Sequence, residues 1–279
     1  MNFFELPLAD WTNAFVEDWL IPVLGGYFNA IGSFISLLLE GFQSFLMGIP
    51  QVIMALLLIV LAWRTAGKGV AVFTLVGLLY LGSVDLWEEG MQTLAIVLVA
   101  TLFSLVIGIP VGIWSAKSDW VERVVRPILD FMQTLPSFVY LIPMILLFGI
   151  GGVSAVMATF VFATPPAVRL TNLGIRQVPS DVVEAAQAFG STPWQILTKV
   201  QLPLALPTMM AGVNQTIMMA LSMAVISAMI GASGLGSVVL SGISRVDAGL
   251  GLTGGLGIVV LAIILDRVTE GLGRKNQSS

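Results

Sequence analysis

The sequence predicts an all-α integral membrane protein, and three observations carry that reading. Of the 279 residues, 57% are hydrophobic and 10% charged, whereas soluble domains carry about a quarter charged residues. The charges gather in short clusters between apolar runs long enough to cross a bilayer, which takes about 20 helical residues. Neither Cys nor His occurs, so disulfides and thiolate metal sites are ruled out and the commonest general base is missing. No metal site is expected. The net charge of −4 gives no sign of nucleic-acid binding.

The elements follow in chain order. The start, MNFFELPLADW, has no positive n-region and does not read as a cleaved signal peptide. Residues 1–45 form an N-terminal extension. Within 26–45, Phe28, Ile31, Phe34, Ile35, Leu38 and Phe42 recur at helical spacing, while Asn29, Ser33, Ser36, Glu40 and Gln43 interrupt the apolar surface. This predicts an interfacial amphipathic helix rather than a span. About seven spans are then expected, near 46–63, 69–83, 91–115, 127–149, 152–168, 204–230 and 251–266. The first two fill 46–90, the core is 91–270, and 271–279 is a tail.

Basic residues set the direction. Arg64, Lys68, Lys117, Arg123, Arg126, Arg169, Arg176, Lys199, Arg267, Arg274 and Lys275 fall on one side, and Arg245 alone on the other. Positive residues stay cytoplasmic. The 169–203 loop and the C-terminus are therefore expected in the cytoplasm, and the N-terminus outside.

That loop is punctuated like a folded element. Ser180 reads as a helix N-cap, with Asp181 in the first turn favouring the macrodipole. Val182, Ala185, Ala186 and Phe189 form an apolar stripe, and Gly190 stands where a helix takes a left-handed terminator. Thr192-Pro193-Trp194-Gln195 is a capping-box pattern with Pro at the first helical position. Ile196, Leu197 and Val200 continue this second helix to Pro203. Two short helices meeting at a glycine are expected, either as a bare surface hairpin or as a docking knob for a cytosolic protein.

Glu184-Ala185-Ala186, Gly190 and Val200-Gln201-Leu202-Pro203 resemble the EAA loop of ABC importer permeases, with Val for the family's Ile as the visible departure. ILDFMQTLPSFVYLIP (128–143), ATPPAVRLTNLGIRQVP (163–179), GASGLGS (231–237) and AIILDR (262–267) are similar to the permeases of glycine betaine, proline betaine and choline importers. The resemblance covers about residues 90–270. It implies the type I ABC importer permease fold, with the EAA loop as a cytoplasmic pair of coupling helices. Glu184, Ala185, Ala186, Gly190 and Trp194 become the expected ATPase-coupling residues. It also implies a cytosolic ABC ATPase partner that binds ATP and Mg, a separate extracytoplasmic substrate-binding protein, and a second permease copy, by default in a homodimer. The chain itself would hold no cofactor.

Polar groups within spans are costly unless they face a bundle interior or a water path. Gln133, Thr134 and Pro136 break the fourth span near its cytosolic third, while Gln215, Met218, Met219 and Ser222 share a face of the sixth. A quaternary ammonium is held by aromatic faces, and Phe138 and Tyr140 lie nearest the break. These eight residues other than Pro136 are the candidate pathway, set against ordinary helix packing. Asp130 and Asp266 are expected to pair near Arg126 and Arg267, and GASGLGS to form a Gly-rich turn or short external segment where helices approach closely. No G-x-x-x-x-G-K-[ST] occurs, so the chain has no P-loop and is not expected to be an enzyme. An ATP-independent secondary transporter or channel is the competing reading. It would favour inverted repeats and midplane charges, neither of which is clear. An intramembrane enzyme would lack His, Cys and a carboxylate pair.

Overall fold

The computed structural model describes residues 7–275, and these are helical with no strand among them. Expectations for residues 1–6 and for 276–279 of the tail lie outside the described residues. The helices are α1 (Asp10–Gly48), α2 (Gln51–Ala66), α3 (Lys68–Ser83), α4 (Trp87–Lys117), α5 (Asp119–Thr134), α6 (Ser137–Phe148), α7 (Gly152–Arg176), α8 (Ser180–Ala188), α9 (Pro193–Ile230), α10 (Leu235–Arg245) and α11 (Ala248–Lys275).

The core is α4, α7 and α9, packed through small residues. Without a hydrophobic drive between helices in lipid, close backbone approach supplies the dispersion energy. A Cβ built on Gly112 would lie 2.6 Å from the Thr171 Cβ and 2.7 Å from the Val168 carbonyl oxygen. One on Gly212 would lie 2.9 Å from the Leu170 Cβ. Helices α4 and α7 run in the same direction, since Ser104 donates to the Phe160 carbonyl and Arg176 to the Ser115 carbonyl. On the other flank α2, α3 and α11 pack together, with Gly77 against Val260 and Gly271 against Thr65. Arg64, Lys68, Lys117 and Arg176 therefore gather at one end of the bundle, called here the basic end.

Four expectations are corrected. The apolar stretch at 127–149 is a sharply broken pair of helices rather than one lightly kinked helix: α5 and α6 meet at 108°. Leu135 and Pro136 are both extended there, because Pro136 cannot donate to the preceding turn. The second helix of the loop does not stop at Pro203 but runs unbroken through α9. Hydrogen bonding is π-type over Leu197–Gln201, and that widened turn absorbs the proline's missing N–H. The Gly-rich 231–237 region is only partly a turn. After Gly231 and Gly234, both at positive φ, it opens an 11-residue helix, α10. Its Gly242 lies so close to α11 that a Cβ would sit 2.5 Å from the Gly251 amide nitrogen. Finally, the N-terminal helix starts well before residue 26, and α1 is long and apolar enough to cross a membrane.

Helix α1 packs on the α6–α7 turn and, with Phe34 edge-on to Phe103 at 6.3 Å, on the middle of α4. Phe28 meets Phe148 edge-on at 5.9 Å, Gly32 faces Phe148 and Val153, and Leu39 reaches Gly152. Eleven residues separate Phe28 from Leu39, about 16 Å of helix rise, yet both touch the α6–α7 turn.

Candidate functional site

The loop hairpin is ordered by its own caps. At the end of α8, Gly190 has φ +80°. Ser191 N–H donates to Ala186 O at 3.0 Å and Gly190 N–H to Gln187 O at 2.9 Å, the paired bonds of a Schellman terminus. The capping box is complete: Gln195 N–H donates to Thr192 Oγ1 at 3.3 Å, and Thr192 N–H to Gln195 Oε1 at 2.8 Å. The start of α8 differs from expectation, since Pro179 occupies the N-cap and Ser180 is the first helical residue, with no side-chain cap bond. The base is anchored by Ile175, Leu197 and Ala205, against which Ile113, Ala116, Leu202 and Met209 pack.

The hairpin's outer surface is unfilled. Glu184, Ala185 and Gly190 are exposed and Ala186 is half-buried. Phe189 is 91% and Trp194 69% exposed. Of the apolar stripe, Val182, Ala185 and Phe189 are presented outward. Two large aromatics on a rigid hairpin are what an interface anchor needs.

The bend between α5 and α6 carries the second group. Gln133, Thr134 and Phe138 are exposed there, while Tyr140 is buried. Thr134 donates to the Phe131 carbonyl at 3.0 Å. Tyr140 stacks edge-on against Phe162 at 5.9 Å and clusters with Leu141, Ala158, Met223 and Ile230. On α9, Gln215 and Ser222 are exposed and Met218 and Met219 half-buried. Met219 turns toward the main core, so it does not fully share the face of Gln215 and Ser222. The bend meets α9 beyond Ser222, through Met223, Ile226 and Ile230, and this contact is apolar.

Sequence reasoning missed the polar knots at the basic end. Arg176 bridges Asp119 at 2.7 Å and Glu122 at 2.9 Å, and its Nε donates to Asn172 Oδ1 at 3.0 Å. This ties α5 to the ends of α4 and α7. Asp130 pairs with Arg169 at 2.5 Å rather than with Arg126. Asp266 sits 3.8 Å from Arg267, as expected, but its closer bond is from Asn214 at 2.9 Å. A cleft of 440 Å³ lies beside the first knots, lined by Arg126, Arg169 and Arg176 among others. No periodicity marks these pairs, because the partners lie some 40–60 positions apart in the chain. No group of three or more metal-ligating side chains occurs among the described residues.

Comparison with known proteins gives one answer at each level. Residues 108–277 match the family described as binding-protein-dependent transport system inner membrane component. The chain is 50% identical over 273 residues to the glycine betaine/proline betaine transport system permease protein ProW of Escherichia coli (strain K12), covering 98% of this chain and 77% of that protein. It is 47% identical to the glycine betaine transport system permease protein OpuAB of Bacillus subtilis (strain 168), covering 98% and 97%. It is 49% identical to the glycine betaine/carnitine transport permease protein GbuB of Listeria monocytogenes serotype 1/2a (strain 10403S), covering 99% of each. Among solved structures, an inward-facing form of the MetNI methionine ABC transporter superposes with a TM-score of 0.63. That match has 26% identity and covers 68% of this chain and 95% of that one.

Proposed function

The chain belongs to the family of binding-protein-dependent transport system inner membrane components, and from that premise we infer the function of its parts. It is the multi-pass permease subunit of an ATP-driven importer for glycine betaine or a related quaternary-ammonium osmoprotectant. It is a translocation component and not an enzyme. A separate substrate-binding protein delivers the ligand, and a separate ABC ATPase drives the cycle. The observation that carries the mechanism is the continuity of the hairpin with α9, a single helix from Pro193 to Ile230.

An ATPase that grips Phe189 and Trp194 beside Glu184, Ala185, Ala186 and Gly190 pulls on the end of a rod that runs to the far side of the bundle. From Trp194 onward the helix is continuous, since the widened turn at Leu197–Gln201 keeps its helical bonds. The far end of the rod meets the bend near Phe138 and Tyr140, so motion of the hairpin reaches Gln133 and Thr134 mechanically. Gln215 and Ser222 stay exposed on one side of α9 within the single chain. Facing lipid, those groups would be costly. They are covered instead by the transport path and by a second copy of this chain, related by a two-fold axis. Contacts along such a path must be weak, because tight binding would stall release.

The basic end, with the hairpin and the C-terminus, faces the cytoplasm by the positive-inside rule. With α1 counted as an interfacial helix and seven crossings after it, the N-terminus lies outside. The chain has no native Cys, so Thr12→Cys can be labelled uniquely. An impermeant thiol reagent added to intact cells should modify it, and protection until lysis would put the N-terminus inside.

Reconstitution with the ATPase and binding protein tests the whole reading. Uptake of glycine betaine into liposomes should require both partners and ATP. Uptake by the chain alone, without ATP, would refute it.

A further inference from the structure

In a continuing helix the Met132 carbonyl would receive its bond from residue 136, but Pro136 has no N–H to give. Met132 also lies among the last four carbonyls of α5, which lack intrahelical donors. The Tyr140 hydroxyl donates to that carbonyl. The neighbouring Phe131 carbonyl is already served by Leu135 N–H at 3.4 Å and Thr134 Oγ1 at 3.0 Å. So the phenol fills the one position that the proline leaves open.

The rest of Tyr140 faces elsewhere. Its ring is 7% exposed and belongs to the cluster with Met223 and Ile230, where Ile226 also packs. Helix α5 is held separately, to α7, by the Arg169–Asp130 and Arg176–Glu122 pairs. One residue thus touches both sides of the bend: its hydroxyl closes α5, and its ring rests on the helix that rises from the hairpin.

We propose that Tyr140 is a positioning residue for transport: its hydroxyl replaces the N–H that Pro136 lacks and its ring takes the contact with α9, so the bend between α5 and α6 follows α9. The consequence for uptake rests on the permease reading above, but the local geometry does not. Tyr140 acts through the backbone and need not touch the substrate. Removing the hydroxyl leaves the carbonyl of half-buried Met132 without its donor, and losing one such hydrogen bond shifts an equilibrium by about tenfold.

The test uses Tyr140→Phe, Pro136→Ala and the double variant. Nitroxide labels at Val124→Cys and Leu146→Cys, both exposed positions, report the α5–α6 distance in nanodiscs without any partner. The same variants, without labels, are assayed for ATP-driven uptake in the full complex. Tyr140→Phe should broaden the distance distribution and lower uptake about tenfold, with insertion and ATPase association unchanged. In the Pro136→Ala background, where an amide can serve Met132, the same change should cost no more than about twofold. Equal losses in both backgrounds would overturn the proposal, as would an unaltered distance distribution in Tyr140→Phe. Altered distances with normal uptake would overturn the role in transport. If the unmutated complex shows no ATP-driven uptake, the permease reading fails, while the distance measurements still decide the geometry.

Discussion

Replacing Gly190 by Ala tests whether the hairpin's shape matters, apart from its side chains. Gly190 sits at φ +80°, and nothing lies within 4 Å of where a Cβ would be. No clash is added, so the whole effect is the backbone penalty. An L-residue in the left-handed region costs about 1–2 kcal/mol. Part of that is returned because Ala loses less conformational entropy on folding, about 0.4–1 kcal/mol. The net cost of about 1 kcal/mol lowers the equilibrium constant for holding the turn in its docking shape by roughly fivefold. Affinity for the ATPase, measured by titration onto permease in nanodiscs, should fall by that factor, with insertion and thermal stability of the bundle unchanged. Asn, which tolerates this conformation, should lose much less. If Ala and Asn both bind like the unmutated chain, the ordered turn is irrelevant to coupling and the reasoning is wrong.

Four further outcomes follow from the geometry. Gly112→Ala forces a methyl to within 2.6 Å of Thr171 and should cost about 1–3 kcal/mol by overpacking, seen as a lower melting temperature in detergent. Gly41→Ala, with open space around it, should be neutral or stabilising by up to about 1 kcal/mol. Arg176→Lys keeps the charge but loses the fork that spans Asp119, Glu122 and Asn172. Because the partners are partly exposed, the loss should be modest, about 1 kcal/mol, again read as a melting shift. Gln215→Ala should reduce uptake while leaving the melting temperature in place, whereas Met219→Ala, which also packs on the core, should lower both. Normal uptake in both would make that face packing alone.

Much of this structure was legible in the sequence, where local chemistry decides it. The terminator at Gly190 and the box at Thr192–Gln195 form as their residue types dictate, because caps involve neighbours a few positions apart. The start of α8 failed by one residue, since Pro179 takes the cap position itself. Proline misled in two ways. Pro203 was read as a stop, but a π-type turn lets α9 continue through it. Pro136 was read as a break, but the 108° angle between α5 and α6 is not encoded by any local pattern. Helix α10 was hidden because its sequence, rich in Gly and Ser, has low helix propensity. It forms because those small residues let it lie against α11. The knots around Arg176 and Asp266 join residues far apart in sequence, and the exposure of Phe189 is a property of the assembled fold.

The central claim is that another protein's ATP cycle enters this chain through residues 180–203. The most direct measurement is ATP-driven glycine betaine uptake, with ATP hydrolysis and ATPase co-purification recorded in parallel, for Phe189→Ala combined with Trp194→Ala. Both side chains are exposed, so the bundle should insert and melt as before, while ATPase association and uptake are lost. Normal uptake with a normal ratio of ATP consumed to substrate moved would contradict the account.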